Sequence, residues 1–290
     1  MVAPPDARTL EAYRHCSKIV RASHSSFAAA FWMLSREQRR GLHAIYAFCR
    51  LADDIADDPD VRGDRRQLLA RWREELDDAY AGRPSHPVGI AMADTVARFA
   101  IPKRWFEDLL EGIEMDLLGV EIVSFSQLER YCYCVASTVG LCVVAVLGVR
   151  GPEAERYAVD MGVAVQLTNV LRDVGDDAST GRVYIAREDL ERHGVAREAL
   201  ASGRSSVATR ALLREHAERA HLRFDRARAG LPVQHARTLR PAQAMGEIYF
   251  ELLRRLERSD LPCLERVVRL SKAERVGIAA RVWLRPGLAA

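Results

Sequence analysis

Apolar residues recur three and four positions apart along most of this chain. Leu42, Ile45, Phe48, Ala52 and Ile55 follow that spacing, as do Leu68, Trp72, Leu76 and Tyr80, and later Leu212, Ala220, Phe224 and Leu231. A repeat close to 3.6 residues gathers such side chains on one face of an α-helix, whereas the alternation of a half-buried strand is almost absent. Pro59, Pro84, Pro87, Pro102, Pro152, Pro232, Pro241, Pro262 and Pro286 punctuate the runs at intervals that suit helices joined by short loops. The pattern predicts an all-α fold, a single-domain helical bundle over residues 1–290. No internal repeat, low-complexity stretch or long linker interrupts it.

Two of the predicted helices break the simple amphipathic scheme. From Tyr157 to Leu171, inside a helix expected from about Pro152 to Asp177, apolar residues cover most of the circumference, which predicts burial in the middle of the bundle. Yet Gln166, Asn169, Asp173 and Asp177 fall at i, i+3, i+7 and i+11 and form one polar stripe. A buried helix with a polar stripe lines a cavity. The helix ending near Asp58 repeats the arrangement, because Tyr46, Arg50, Asp53 and Asp57 stand at i, i+4, i+7 and i+11. Two facing stripes around a central cavity are expected.

Both stripes end in a knot of carboxylates, "CRLADDIADD" before Pro59 and "NVLRDVGDD" before Gly181. The negative end of a helix dipole disfavours an anion there by about 0.3–1 kcal/mol, and like charges four residues apart add a similar penalty. A single such cluster reads as a solvated helix end; two of them call for a cation that offsets the repulsion. Carboxylates four residues apart lie roughly 6 Å apart along the axis, which lets a pair bracket a hard divalent ion. Oxygen-only donors point to Mg²⁺, with Mn²⁺ as the alternative, rather than zinc.

Composition narrows the function further. The chain has 290 residues, 49% hydrophobic and 29% charged, enough to bury a substantial core, and its formal charge is only +3. Arginines are dispersed rather than blocked with aromatics, so nucleic acid is not expected as a partner. Cys16, Cys49, Cys132, Cys134, Cys142 and Cys263 lack zinc-type pairing and the density of a disulfide scaffold, so reduced thiols in a cytoplasmic protein are expected. The N-terminus shows no basic-then-apolar leader, and no run is expected to reach the roughly 20 apolar residues of a membrane span. The expectation is a soluble chain, at most resting on the inner face of a membrane. The basic, apolar-interleaved segment from Pro262 onward could make that peripheral contact or pack back on the bundle. Oligomeric state is not set by the sequence.

The stretches "AIYAFCRLADDIADD" and "QLTNVLRDVGDDASTGRVYI" resemble the two aspartate-rich signatures of the squalene and phytoene synthases. The likeness extends through "SHSSF", "EGIEMDL", "YCYCVASTVG" and "GEIY", and so over almost the whole chain. Within that family it is most similar to bacterial presqualene diphosphate synthases of hopanoid pathways, and somewhat less to phytoene synthases. The resemblance implies a helical isoprenoid synthase that condenses two allylic diphosphates head to head: farnesyl diphosphate to presqualene diphosphate, or, as the alternative, geranylgeranyl diphosphate to phytoene. A non-catalytic scaffold relative is the competing class, but it would be expected to lose aspartates that this chain keeps.

Carried over by that resemblance, Asp53, Asp57, Asn169, Asp173 and Asp177 hold Mg²⁺, and Arg50, Arg172 and Arg266 hold diphosphate. Gln166, Ser23, Phe27, Tyr46 and Tyr184 contribute to the substrate site, and Tyr131 and Tyr249 stand near the reacting carbons. Intrahelical pairs at i, i+4, Arg50 with Asp54 and Arg172 with Asp176, are the plainer roles for two of those arginines. Ala136, Gly140 and Ala164 are expected to line the tail channel. NADPH is not expected; the missing glycine-rich dinucleotide fingerprint says little, because reductive members of the family bind NADPH without one.

Overall fold

The protein is described by a computed structural model covering residues 4–22 and 34–284. All regular structure among these residues is helical. The α-helices are α1 (Ala7–Ala22), α2 (Arg36–Asp57), α3 (Arg65–Tyr80), α4 (Pro87–Phe99), α5 (Lys103–Leu118), α6 (Phe125–Cys132), α7 (Thr138–Val146), α8 (Pro152–Ser179), α9 (Arg187–His193), α10 (Val207–Ala229), α11 (Arg240–Arg258) and α12 (Lys272–Leu284). The two helices with polar stripes are therefore α2 and α8, within two residues of the expected ends.

Local chemistry explains where these two begin. Ser35 caps α2 in a reciprocal box: the Gln38 amide donates to Ser35 Oγ at 3.2 Å, and the Ser35 amide donates to Gln38 Oε1 at 3.1 Å. α8 starts with Pro152 in its first turn, where a missing N–H costs nothing. It then runs 28 residues through the centre, packed on α7, α10 and α11.

Two apolar cores flank α8. One is built from α1 to α5 with α7, around Phe48, Trp72, Met92 and Phe106; the other from α6, α9, α10 and α11, around Leu128, Leu167, Phe224 and Leu253. Met161 of α8 packs against both. Phe48 stacks on Trp72 at 5.1 Å between ring centres and meets Phe106 edge-on at 5.5 Å, which fixes the buried face of α2.

α6 and α7 form one continuous helix joined by a π-helical turn, Tyr133–Ser137. That turn lies against α8 at Gly162, where a Cβ would come within 2.4 Å of Ser137 Cα. Only glycine permits this approach. The joined helix, Phe125–Val146, corrects one expectation: by length and composition it could cross a bilayer. Just over half of it is buried against α5 and α8, as befits a core helix. At the other end, α12 folds back on α11 through Ile278, Ala279 and Val282, while Val276, Trp283 and Leu284 stay exposed. All six cysteines are free, five of them buried.

Candidate active site

The stripes on α2 and α8 face one cavity of about 240 Å³. Tyr46 and Asp53 from α2, Gln166 and Asn169 from α8, and Tyr249 from α11 supply its polar lining. The rest is apolar: Leu42, Ile45, Val139, Val143, Ala158 and Met245 among others. Ala136 and Gly140 line it as expected, whereas Ala164 lies in the second core instead. The lining thus grades from charged to greasy along the axis of α8.

Past the cavity the stripes continue into the two acid clusters, and a basic side chain joins them. Arg182, in the turn after α8, pairs with Asp57 of α2 at 2.6 Å. On α8 itself, Arg172 grips Asp173 through both Nε, at 2.7 Å, and Nη2. The expected Arg172–Asp176 pair is therefore replaced by its nearer neighbour, and Tyr249 lies close to the same guanidinium. Arg50 does pair with Asp54, at 2.7 Å, and turns its charge along the outside of α2. Arg266 is exposed and makes no side-chain ion pair among the described residues, in a segment whose Cys263 and Leu264 backbone packs on α8 at Gly175. Ser23 and Phe27 lie outside the described residues.

Arginines neutralise Asp54 and Asp57 in the α2 cluster and Asp173 in the α8 cluster, and each cluster leaves a further carboxylate under strain. Crowding by surrounding protein, followed by repulsion from Asp57 and Asp116, raises Asp53 to about 7, although its side chain remains open to water through the cleft. Burial and then Asp173 raise Asp177 to about 7 in the same way.

Two site residues were not anticipated. Asp116 of α5 accepts the hydroxyl of Tyr131 at 3.0 Å and that of Tyr184 at 2.7 Å. The two rings stack at 4.9 Å. Tyr131 and Tyr184 stand outside the cavity lining itself, where they clamp a fifth carboxylate that lies within electrostatic reach of Asp53, Asp57 and Asp177. Burial lifts Asp116 to about 6, against the opposing pull of its two hydroxyl donors. Arg182 is the other omission.

Among the described residues no three Asp, Glu, His or Cys side chains converge closely enough to form a ready-made metal cage. The donors nonetheless suit a hard divalent cation: all are oxygen, two carboxylates are held in a state that an added positive charge would relieve, and Asn169 Oδ1 is buried with no hydrogen-bond partner. Asn169 Nδ2 donates to Gln166 Oε1 at 3.2 Å, so the amide nitrogen is engaged while Asn169 Oδ1 keeps its acceptor capacity.

A family model for squalene/phytoene synthase matches residues 20–274. The chain belongs to the squalene/phytoene synthase family. It is accordingly a prenyltransferase, and its all-α architecture is that of the isoprenoid synthases. Among curated relatives, it is 33% identical over 273 residues to phytoene synthase 2 of Solanum lycopersicum, covering 92% of this chain and 88% of that one. It is 34% identical over 257 residues to phytoene synthase 1 of Arabidopsis thaliana, of which it spans 61% while 86% of this chain is covered. A crystal structure of a dehydrosqualene synthase superposes with a TM-score of 0.85 at 28% identity, over 94% of this chain and 96% of the other. The squalene synthase HpnC of Alicyclobacillus acidocaldarius superposes at 0.79 with 27% identity, over 88% and 97%. In this squalene/phytoene synthase, "EGIEMDL" was the one signal that could have drawn attention to Asp116.

Proposed function

We propose that this squalene/phytoene synthase joins two farnesyl diphosphates head to head and releases presqualene diphosphate. The observation that carries the reading is the pairing of the two acid clusters across one mouth, tied by Arg182 to Asp57, above a largely apolar cavity. Asp53, Asp57, Asn169, Asp173 and Asp177 are the residues that would hold Mg²⁺ or Mn²⁺. A divalent ion bound there supplies charge neutralisation for a departing diphosphate.

The chain's own groups divide the remaining tasks. Arg172, set beside Tyr249, and the exposed Arg50 and Arg266 offer multi-donor, permanently charged contacts to diphosphate oxygens. The apolar walls exclude water, so the allylic cation meets the second substrate's double bond before it meets a hydroxyl. The faces of Tyr46 and Tyr249 can stabilise that cation by about 0.5–2 kcal/mol each. Bond formation closes a cyclopropane with loss of one proton, and inorganic diphosphate leaves. Asp116, fixed by two phenols, adds negative potential at the mouth that favours a cation bound between the acid clusters.

The likeness to phytoene synthases favours a second reading, in which geranylgeranyl diphosphate is converted to phytoene. Incubation with farnesyl or geranylgeranyl diphosphate and Mg²⁺, with and without NADPH, followed by mass spectrometry, separates the two. Presqualene diphosphate without squalene, even when NADPH is present, is the expected outcome; phytoene from the longer substrate would replace it with the second reading. We place the enzyme in the cytoplasm, with the exposed Val276, Trp283 and Leu284 of α12 available for peripheral membrane contact. Co-sedimentation with liposomes that ignores anionic lipid content would reject that contact.

A further inference from the structure

We propose that Tyr157 and Met161 form the end stop that limits the isoprenoid tail to fifteen carbons. This rests on the reading of the cavity as a prenyl diphosphate site. Both residues border two spaces at once: the main cavity, and a smaller void of about 30 Å³ on the side of α12. They are the partition between them. The void is also lined by Arg228, Gln243, Glu247 and Val282, and Arg228 pairs there with Glu247 at 2.9 Å. A hydrocarbon chain meets apolar surface as far as the partition and an ion pair beyond it.

Tyr157 is 2% exposed, and its hydroxyl has no hydrogen-bond partner. A buried hydroxyl left unpaired contributes nothing favourable, so the ring is what the position uses. Met161 completes the seal by lying against α11 at Gly246, where a Cβ would come within 2.5 Å of Met161 Sδ and 2.7 Å of Cε. The bare backbone of Gly246 is the slot that receives the thioether.

The distances agree with this stop. Asn169, at the polar end of the cavity, and Tyr157 are twelve residues apart on α8, roughly 18 Å at 1.5 Å per residue. An extended farnesyl chain of twelve main-chain carbons advances about 14 Å at ordinary carbon–carbon bond lengths, leaving only van der Waals clearance. Four more main-chain bonds add roughly 5 Å, about one helical turn. That extra turn falls at the depth of Tyr157, while Met161, eight residues from Asn169 and roughly 12 Å along the axis, flanks the tail one turn earlier and closes the wall against α11.

The test compares full-length wild type, Tyr157→Ala, Tyr157→Phe and Met161→Ala for relative kcat/KM on geranylgeranyl and farnesyl diphosphates with Mg²⁺. Both alanine variants should raise the geranylgeranyl-to-farnesyl ratio at least about tenfold, and Tyr157→Phe should stay within about twofold of wild type. Unchanged ratios in folded alanine variants that still consume farnesyl diphosphate overturn the stop, as does a phenylalanine variant that behaves like alanine. Should Tyr157→Ala fail to fold, Met161→Ala decides the matter, since a flexible thioether is easier to lose. Wild type alone reports on the underlying reading: turnover of neither substrate removes the prenyl site itself, whereas a wild-type preference for the longer one removes only the stop.

Discussion

The acid clusters at the ends of α2 and α8 have almost the same sequence pattern, yet they are held in different ways. On α2 the neighbouring Arg50 turns to Asp54, and Asp57 is secured from outside by Arg182. On α8 the cluster is largely self-contained, with Arg172 folded onto Asp173 one residue away. The α2 cluster thus depends on the arrival of another segment, while the α8 cluster is formed as soon as its helix is. Each arrangement still leaves one carboxylate, Asp53 or Asp177, unpaired and raised.

The largest effects should erase that difference. Asp53→Asn and Asp177→Asn are each expected to lower turnover roughly 10²–10³-fold or more, the scale for removing one group that stabilises developing charge. Melting of either variant without metal should stay level or rise, because a repelled carboxylate has been removed. A clear loss of metal-free stability in both would assign these residues to the fold rather than to the reaction.

The arginines should separate the clusters instead. The Arg182–Asp57 pair is open to water, with side chains 35% and 52% exposed, so Arg182→Ala should cost about 0–1 kcal/mol, vanishing in high salt. Arg172 is more enclosed, and its loss leaves Asp173 without a partner; a cost of about 1–3 kcal/mol that persists in salt is expected. Denaturant titrations at low and high ionic strength compare the two directly, and equal salt sensitivity would break the contrast.

Acidity offers a subtler probe of what they share. Asp53 and Asp177 bind protons more readily in the folded than in the unfolded chain, so their contribution to metal-free stability is fully present below about pH 4 and is lost as pH rises toward 7. Melting curves of wild type and of the double Asp→Asn variant should diverge across that window, with the wild type falling relative to the variant. Saturating Mg²⁺ should flatten the divergence. The smallest expected change comes from Tyr184→Phe, which removes one donor from Asp116 at a cost of about 0.5–1.5 kcal/mol and moves the Asp116 titration further up. Carbon-detected NMR of that carboxyl would show it; a titration that does not move would detach Tyr184 from Asp116.

What could be foreseen followed from periodicity. Gln166, Asn169, Asp173 and Asp177 announce themselves because polar residues on one line of a buried helix have no other explanation, and the same spacing marks Tyr46, Asp53 and Asp57. Asp116 does not, since one acid near the end of an ordinary amphipathic helix looks like any solvated position. Arg182 lies in a turn, where no period exists to violate. The family resemblance brings Tyr131 and Tyr184 to the site, but nothing in their spacing shows that their hydroxyls fix Asp116. The π-helical turn at Tyr133–Ser137 had no sequence signal of its own, being a response to the close approach of Gly162. Nor could cavity depth be read from one strand of sequence, because α8 and α11 have to meet before Met161 can close it.

Both acid clusters lie at helix C-termini, so the backbone dipoles add their negative ends to carboxylates that already outnumber the guanidinium groups around the mouth. A diphosphate approaching the bare protein therefore climbs a repulsive field rather than descending an attractive one. The entrance behaves as a coincidence detector. Neither a lone anion nor a lone tail is drawn in, and admission falls to a cation and a diphosphate that arrive as partners, which spares the greasy interior from casual guests.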